Sequence, residues 1–279
     1  MPKLYNRIWK FQVGNLDVSH LDGIFQIKRS LRRQTNTCDL RIYNLTAEHV
    51  AQLRNENELF VEVRAGYEVD GEPTILFRGN AREQASVSTE KTEIILDVTA
   101  RDGGTSNFRR INRSYDPGTP LRTVLTDLTN EMGIGIGNLN DFINERLTTS
   151  SQDRFTQGVV ASGPAYRLLD RIIRSQGLRW SIQNGNLQIL RQRRTRINVG
   201  KLITSRTGLL GSPTRDKDGK VQCKVFIQSG LEPGNNIRLE SRLIEGDYEI
   251  QETTYKGSTF GSNSDWVADL VLKPLESRT

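Results

Sequence analysis

The chain has 279 residues, 35% of them apolar and 26% charged, and it contains no run near the roughly 20 consecutive apolar residues of a membrane span. Its 39 basic and 33 acidic residues give a formal net charge of +6, which predicts nucleic-acid or membrane binding only where charges cluster. Two cysteines, Cys38 and Cys223, are too few for a disulfide framework or a cysteine-based zinc site. Length favours two domains with a smaller insertion, and the start carries no apolar signal segment, which fits assembly in a reducing cytoplasm.

The first hundred residues are predicted to be mostly antiparallel strands. Apolar and polar residues alternate, which is typical of strands with one buried face, and Asn44-Leu45-Thr46 predicts the start of one short helix carrying Val50 and Leu53. This composition suits a small barrel. The strands are predicted at 40–42, 59–65, 74–78 and 94–100.

The middle of the chain changes character after residue 103. Thr119 is the predicted cap of a helix with Pro120 in its first position, and a second helix begins at Pro164. Each helix is expected to end at a glycine, Gly133 or Gly177, at the same distance from its proline. The match indicates either two tandem αβ units or a coincidence of common start and stop signals.

Alternation returns after the second helix. Asn184-Gly185 predicts a two-residue hairpin over 180–189, and a second β-rich region is predicted with strands at 221–227, 237–239, 248–250 and 266–272. The predicted fold class is therefore mainly β, with two tube-like antiparallel β-barrel domains at 1–103 and 199–279 flanking a small helical αβ region at 104–198.

No catalytic, cofactor or metal site is predicted. The two histidines, His20 and His49, lie in no catalytic motif. Asp216-Lys217-Asp218-Gly219 resembles the opening of a calcium loop but has Ile227 where the twelfth-position acid is needed, so a hairpin turn is predicted. The glycines of 133–137 follow a helix, whereas phosphate-binding glycines precede one, so they predict helix termination.

Two basic runs are candidate contact surfaces. The residues singled out for DNA or a partner are Arg191, Arg193, Arg194 and Arg196. They could face DNA phosphates, or form a solvated joint or an interface with a carboxylate surface. The other run, at 28–33, contains Lys28 and Arg29, and neither run has the interleaved aromatic residues of a single-strand stacking platform.

The order of elements resembles the baseplate hub proteins of contractile-tail bacteriophages and related contractile injection systems. The resemblance is spread over the chain and includes no catalytic signature. It is carried by Phe11-Gln12-Val13, Asn36 to Ile42, Asn44-Leu45-Thr46, 61–67, Leu76-Phe77-Arg78-Gly79, Gly163-Pro164-Ala165, 177–183, Gly185-Asn186-Leu187, 246–250 and Trp266.

The resemblance implies a non-enzymatic virion protein of the tail baseplate, assembled in the host bacterial cytoplasm without cofactor or membrane anchor. It implies a homotrimer in which the two β-domains of each chain form a ring of six. Such a ring would adapt a three-fold tail spike protein to a six-fold tail tube protein, and other baseplate proteins would also be partners. Tape measure and DNA would pass through the lumen, and outward-facing Phe60 and Phe226 are candidate contacts. Two other hypotheses stay open: a nucleic-acid-binding protein using Arg191–Arg196 together with residues 28–33, and a peptidoglycan-acting tail enzyme.

Overall fold

The computed structural model describes residues 6–31, 36–54, 56, 58–82, 85–90, 92–103, 109–139, 154–191, 200–261 and 265–275, with the side chain of Arg191 left out. The chain divides into two compact units. The β unit comprises Met1–Asp102 and Thr195–Thr279, and the middle unit comprises Gly103–Arg194.

In the described residues of the β unit there is one sheet of 14 strands, one α-helix and a single 3-10 turn at Glu68–Asp70. Its helix, α1, spans Ala47–Arg54. The strands from the first part of the chain are β1 (Arg7–Val13), β2 (Leu16–Asp17), β3 (Gly23–Ser30), β4 (Thr37–Ile42), β5 (Phe60–Tyr67), β6 (Thr74–Ala81), β7 (Ser86–Glu90) and β8 (Glu93–Arg101).

The second part of the chain adds the remaining six strands of this sheet. After the middle unit's strands β9 to β12, they are β13 (Lys201–Ile203), β14 (Leu209–Arg215), β15 (Val221–Phe226), β16 (Asn236–Glu240), β17 (Glu245–Ser258) and β18 (Trp266–Pro274). The strand order is β14-β15-β18-β17-β3-β4-β8-β6-β5-β1-β2, with β7 beside β8 and β13-β16 beside β17. All pairs are antiparallel except β13 with β16.

One long strand, β17, joins the two parts of the chain into this sheet. It has 14 residues, of which 248–257 pair with β18, 245–249 pair with β16, and 252–258 pair antiparallel with β3. We call the pairing of β17 with β3 the seam. Phe25 and Tyr255 are each 1% exposed at the seam, and the Phe25 ring contacts the edge of Trp266 with centroids 5.6 Å apart. The hydrophobic core is therefore continuous across the seam.

Helix α1 begins where the sequence predicts it. The Thr46 hydroxyl accepts a hydrogen bond from the His49 amide at 3.1 Å, and His49 Nδ1 accepts one from the Thr46 amide at 3.4 Å. This reciprocal cap satisfies two amides that the first helical turn leaves without helical partners. Val50 and Leu53 are buried beneath the helix, as predicted.

The described part of the middle unit contains helices α2 (Leu121–Met132) and α3 (Ala165–Ser175) and two small two-stranded sheets. Strand β9 (Arg110–Tyr115) pairs with β10 (Val159–Pro164), and β11 (Leu178–Gln183) pairs with β12 (Asn186–Arg191). The apolar faces of these helices form one buried cluster with the strands. The predicted hairpin is confirmed, because Asn184 and Gly185 have the positive φ values of 53° and 73° that a primed turn requires.

One detail of the sequence analysis is wrong. Thr119 does not cap α2, because Pro120 holds the cap position and the Thr119 hydroxyl donates to the Asp116 carbonyl instead. Strand β3 is not among the predicted strands, because its last residues belong to the basic run at 28–33. Both helix ends agree with prediction, since Gly133 and Gly177 adopt left-handed φ values of 69° and 68°.

The predicted class, mainly antiparallel β with an αβ insertion, is confirmed. The closure of the two β regions into barrels and the division at 103 and 198 stay predictions. Among the described residues, no helix has the length and apolar character to cross a membrane.

Candidate assembly surface

The most extensive candidate surface is the side of the large sheet that faces away from the core, which we call the polar face. Residues paired directly across strands point to the same side, so the strand registers place one row of side chains across eight strands. In spatial order this row is Lys224, Asp269, Thr254, Lys28, Thr37, Arg101, Asn80 and Phe60.

The polar face crosses the seam without interruption because the same alternation continues from strand to strand. Along each strand, the residues that alternate with those of the polar face point to the core side. There, Ile27, Cys38, Val98, Ala100 and Val225 are at most 3% exposed. Thr254 of β17 lies opposite Lys28 of β3 in this pattern. The two β regions thus present one common surface that is mainly polar, with single apolar side chains such as Ile24 and Val271 on it.

Several charges of the polar face are paired with one another. Arg41 forms two hydrogen bonds to Asp97, at 2.6 and 3.1 Å, in the bidentate geometry that suits arginine and carboxylate. Lys256 donates to Asp269 at 2.9 Å, and Lys224 lies 4.0 Å from the same carboxylate. Basic and acidic residues alternate across these strands, with Lys28 on β3, Asp39 on β4 and Arg101 on β8.

A buried carboxylate fixes the neighbouring strands β5 and β6. Glu62 is 4% exposed and accepts hydrogen bonds from Arg64 and Arg78. Burial raises the pKa of Glu62, but these two guanidinium hydrogen bonds lower it by more, so the pKa lies below its ordinary value. The ion pairs tie β5 to β6, where Glu62 and Arg78 lie opposite each other.

The two ends of the long strand path are built in ways that limit edge-to-edge pairing. At one end, β14 carries Pro213 and a register irregularity between Leu210 and Thr214. At the other end, β2 has only two residues. Proline, bulges and short edge strands are devices that limit uncontrolled pairing with further chains.

A cleft of about 500 Å³ lies between β14 and the turn that joins β16 to β17. Its charged lining residues are Glu240 and Arg242, and Arg238 on the same strand already pairs with Glu240 at 3.4 Å. The other lining residues are Ser205, Leu209, Gly211, Ser212, Pro213, Ser241 and Leu243. The lining serines have no histidine or lysine beside them in this lining to act as a base, and the Glu240 carboxylate is paired with Arg238.

The predicted contact arginines are only partly described. Arg191 ends β12 opposite Leu178. Arg193, Arg194 and Arg196 lie outside the described residues, so the candidate contact at 191–196 stays a prediction.

The other basic run does not form a single exposed patch. Lys28 is exposed on the polar face, whereas Arg29 is 2% exposed on the core side of β3. The Arg29 guanidinium donates to the Leu76 carbonyl at 3.0 Å and lies 3.6 Å from a Glu232 carboxylate oxygen. Strand alternation therefore separates two neighbouring basic residues, and Arg29 acts in the core.

The remaining motifs have structural roles. His20 and His49 lie edge to face with ring centroids 5.9 Å apart, a proximity that the sequence does not show. Asp216 accepts hydrogen bonds from the amides of Asp218 and Lys220 in the turn between β14 and β15, so the hairpin prediction is confirmed. No cluster of three or more potential metal ligands occurs among the described residues.

The glycine run after α2 ends the helix, as its position predicts, and also allows close packing. Gly133 ends the helix, and the Gly135 backbone forms a parallel bridge to Asn186. At Gly137, a Cβ atom would overlap the Leu187 carbonyl oxygen. The run lets the backbone lie directly against β12.

No family model matches the chain, and no curated protein matches it. Solved structures do match. The 43 kDa tail protein of prophage MuSo2 from Shewanella oneidensis has a TM-score of 0.65 at 14% identity, over 96% of this chain and 97% of that one. A tail protein from Neisseria meningitidis MC58 has a TM-score of 0.61 at 12% identity, over 96% and 97% of the two chains.

A third match extends the similarity to a secretion machine. The Escherichia coli c3393 protein, a type VI secretion component described as similar to the T4 tail proteins gp27 and gp5, has a TM-score of 0.59 at 13% identity. The match covers 96% of this chain and 77% of that one. The resemblance predicted from the sequence is thus confirmed for the fold: this chain has the fold of phage tail proteins and of a related type VI secretion component.

Proposed function

We propose that the chain is a structural protein of a phage-type tail, a trimeric baseplate hub that joins a three-fold spike to a six-fold tail tube. The fold supports this proposal, since similar tail proteins match the chain over nearly its whole length. The observation that carries it is the polar face, a continuous and mainly polar surface shared by both β regions.

In the proposed ring, symmetry explains why each chain has two β regions. A closed three-fold ring offers six similar contacts only if each subunit supplies two. The seam fixes the two regions of one chain side by side through seven paired positions between β17 and β3. Contacts within a chain and contacts between chains then alternate around the ring.

The polar face suits the wall of a channel through which a polymer passes. A surface with many unpaired cations binds DNA phosphates and releases counterions, so it would retain DNA. The polar face instead has paired charges, such as Arg41 with Asp97 and Lys256 with Asp269. Tape measure and DNA would move past it without being held.

The rival nucleic-acid hypothesis loses one of its residues. Arg29 is buried and hydrogen-bonded to a backbone carbonyl, so it is not available to a phosphate. The combined footprint of residues 28–33 and 191–196 is weakened accordingly.

Sedimentation of the full chain tests the proposal. We expect a species of three times the chain mass of 31.6 kDa, alone or with the spike and tube proteins of the same genome, unchanged by added duplex DNA. Obligate interfaces commonly bury more than about 2,000 Å², so the trimer should persist at high salt. A stable dimer, a monomer even with these partners, or assembly only in a salt-sensitive DNA complex would contradict the proposal.

A further inference from the structure

The net positive charge of the chain comes entirely from the middle unit. Residues 103–194 contain 13 arginines and seven acidic residues, a surplus of six that equals the net charge of the whole chain. The β unit has 26 basic and 26 acidic residues and no net charge. All ten lysines lie in the β unit, so every cation of the middle unit is an arginine.

Helix α3 places part of this charge on one exposed face. Arg167, Arg171 and Arg174 are exposed and follow one another at intervals of four and three residues. Such spacing puts side chains on the same side of a helix, over a length of about 10 Å. The opposite side of the helix is apolar and buried, with Leu169 and Ile173 at most 1% exposed. We call Arg167, Arg171 and Arg174 the arginine face.

Most of the arginine face has no carboxylate partner within the described part of the chain. Asp170 accepts hydrogen bonds from Arg174 at 3.0 Å and from the Trp180 indole at 3.1 Å. Arg174 forms an ion pair with Asp170 at 3.0 Å. Neither Arg167 nor Arg171 has a described carboxylate oxygen within the 4.0 Å distance of an ion pair. The guanidinium groups of Arg167 and Arg171 are therefore available to a partner, unlike the ion-paired charges of the polar face.

Composition distinguishes between an acidic protein and a nucleic acid as that partner. Protein interfaces are enriched in arginine and tyrosine and depleted in lysine relative to other surfaces, whereas phosphate contacts use both cations. Here lysine is absent from the unit, and the Arg167 guanidinium lies 5.9 Å from the Tyr166 ring centroid with its Nε donating to the Tyr166 hydroxyl at 3.1 Å. Arginine and tyrosine are also typical of interface hot spots.

We propose that the arginine face of α3 is a docking site for an acidic protein segment, such as a helix carrying glutamates at matching intervals of four and three residues. The planar guanidinium groups would bind its carboxylates in bidentate fashion. This inference does not depend on the hub proposal, because the middle unit could dock such a segment in any oligomeric state.

A labelled peptide and the full chain test this inference. The probe is an alanine-rich helical peptide of about 18 residues with glutamates at these intervals, and its binding is followed by fluorescence anisotropy. The double reversal Arg167→Glu/Arg171→Glu should weaken binding about tenfold or more, because attraction becomes repulsion. The conservative Arg167→Lys/Arg171→Lys should weaken it by about two- to fivefold, because lysine lacks the bidentate fork.

Two controls make the result specific. Arg206→Glu/Arg215→Glu reverses two exposed arginines of the β unit and changes the net charge equally, so it should leave peptide binding unchanged. A peptide with lysines in place of the glutamates should bind the reversed α3 variant better than the original chain. Equal peptide binding by both reversed variants and the original chain would overturn the inference. The inference would also be overturned if a duplex DNA of similar length bound more tightly than the glutamate peptide and lost this binding in Arg167→Glu/Arg171→Glu. The arginine face would then be a phosphate-binding site.

Discussion

Replacing Gly257 with alanine tests the seam that joins the two β regions. Gly257 of β17 lies opposite Phe25 of β3, and a Cβ atom there would overlap the Phe25 ring. The ring cannot swing away, because it is 1% exposed and packed edge to face against Trp266 and Phe11, with centroids 5.6 and 6.1 Å away. The new methyl group must therefore displace the centre of the shared core.

The expected cost follows from overpacking. Inserting a methyl group into a close-packed core costs about 1–3 kcal/mol, and a body of this size loses roughly 2–4 °C of melting temperature per kcal/mol. Scanning calorimetry of Gly257→Ala should show the melting transition of the β unit lowered by roughly 2–12 °C. Phe25→Leu in the same chain makes room, so the double variant should be at least about 1 kcal/mol more stable than the sum of the single changes predicts.

Gly66→Ala is the matched control. Gly66 also lies in a strand of this sheet, but a Cβ there would meet Pro73 at an ordinary contact distance of 3.6 Å. This substitution should change the free energy of unfolding by less than about 1 kcal/mol. A Gly257→Ala protein as stable as the original, or full additivity with Phe25→Leu, would refute the reasoning about the seam.

Three further predictions concern single side chains. Because the folded-state pKa of Glu62 is lowered, its stabilisation is present above the ordinary carboxyl pKa and is lost as pH falls through the folded value. Glu62→Gln should therefore lower the free energy of unfolding by about 1–3 kcal/mol at neutral pH and by less in acid. Equal losses of this free energy at both pH values, measured by urea titration, would contradict this. Burial raises the pKa of Cys223 to about 12 and raises that of Cys38 further. Iodoacetamide should therefore label neither thiol at neutral pH until urea unfolds the chain. Detection of the label on the native protein by mass spectrometry would contradict this. Gly137→Ala adds a Cβ that overlaps a backbone oxygen at a φ of 51°, so it should lower the melting temperature of the middle unit more than Gly133→Ala, where φ is 69° but the space is open.

Local patterns were sufficient for the elements whose partners are close in sequence. The hairpin at Asn184-Gly185 and the helices between Pro120 and Gly133 and between Pro164 and Gly177 are determined by turn and cap residues, and they form as predicted. Strands β5 and β15 were visible because one side of each is apolar.

Features that depend on distant pairing could not be read from local patterns. Strand β3 carries Lys28 and Arg29 near its end, and the buried arginine there is explained by distant partners, the Leu76 carbonyl 47 residues further along and the Glu232 carboxylate. The seam joins residues that are more than 200 positions apart, for which no local signal exists. The polar face was hidden for the same reason: alternation shows which residues of a strand face outward, but only the strand order shows that they form one surface.

Electron cryomicroscopy of the purified assembly, alone or bound to its tube and spike proteins, tests the central claim most directly. The account predicts three copies around a three-fold axis, each supplying two β regions to a ring, with the side chains of Lys28, Asp39 and Lys224 facing a central channel. A two-fold assembly, or a three-fold assembly in which these side chains are buried between copies or face outward, would contradict it.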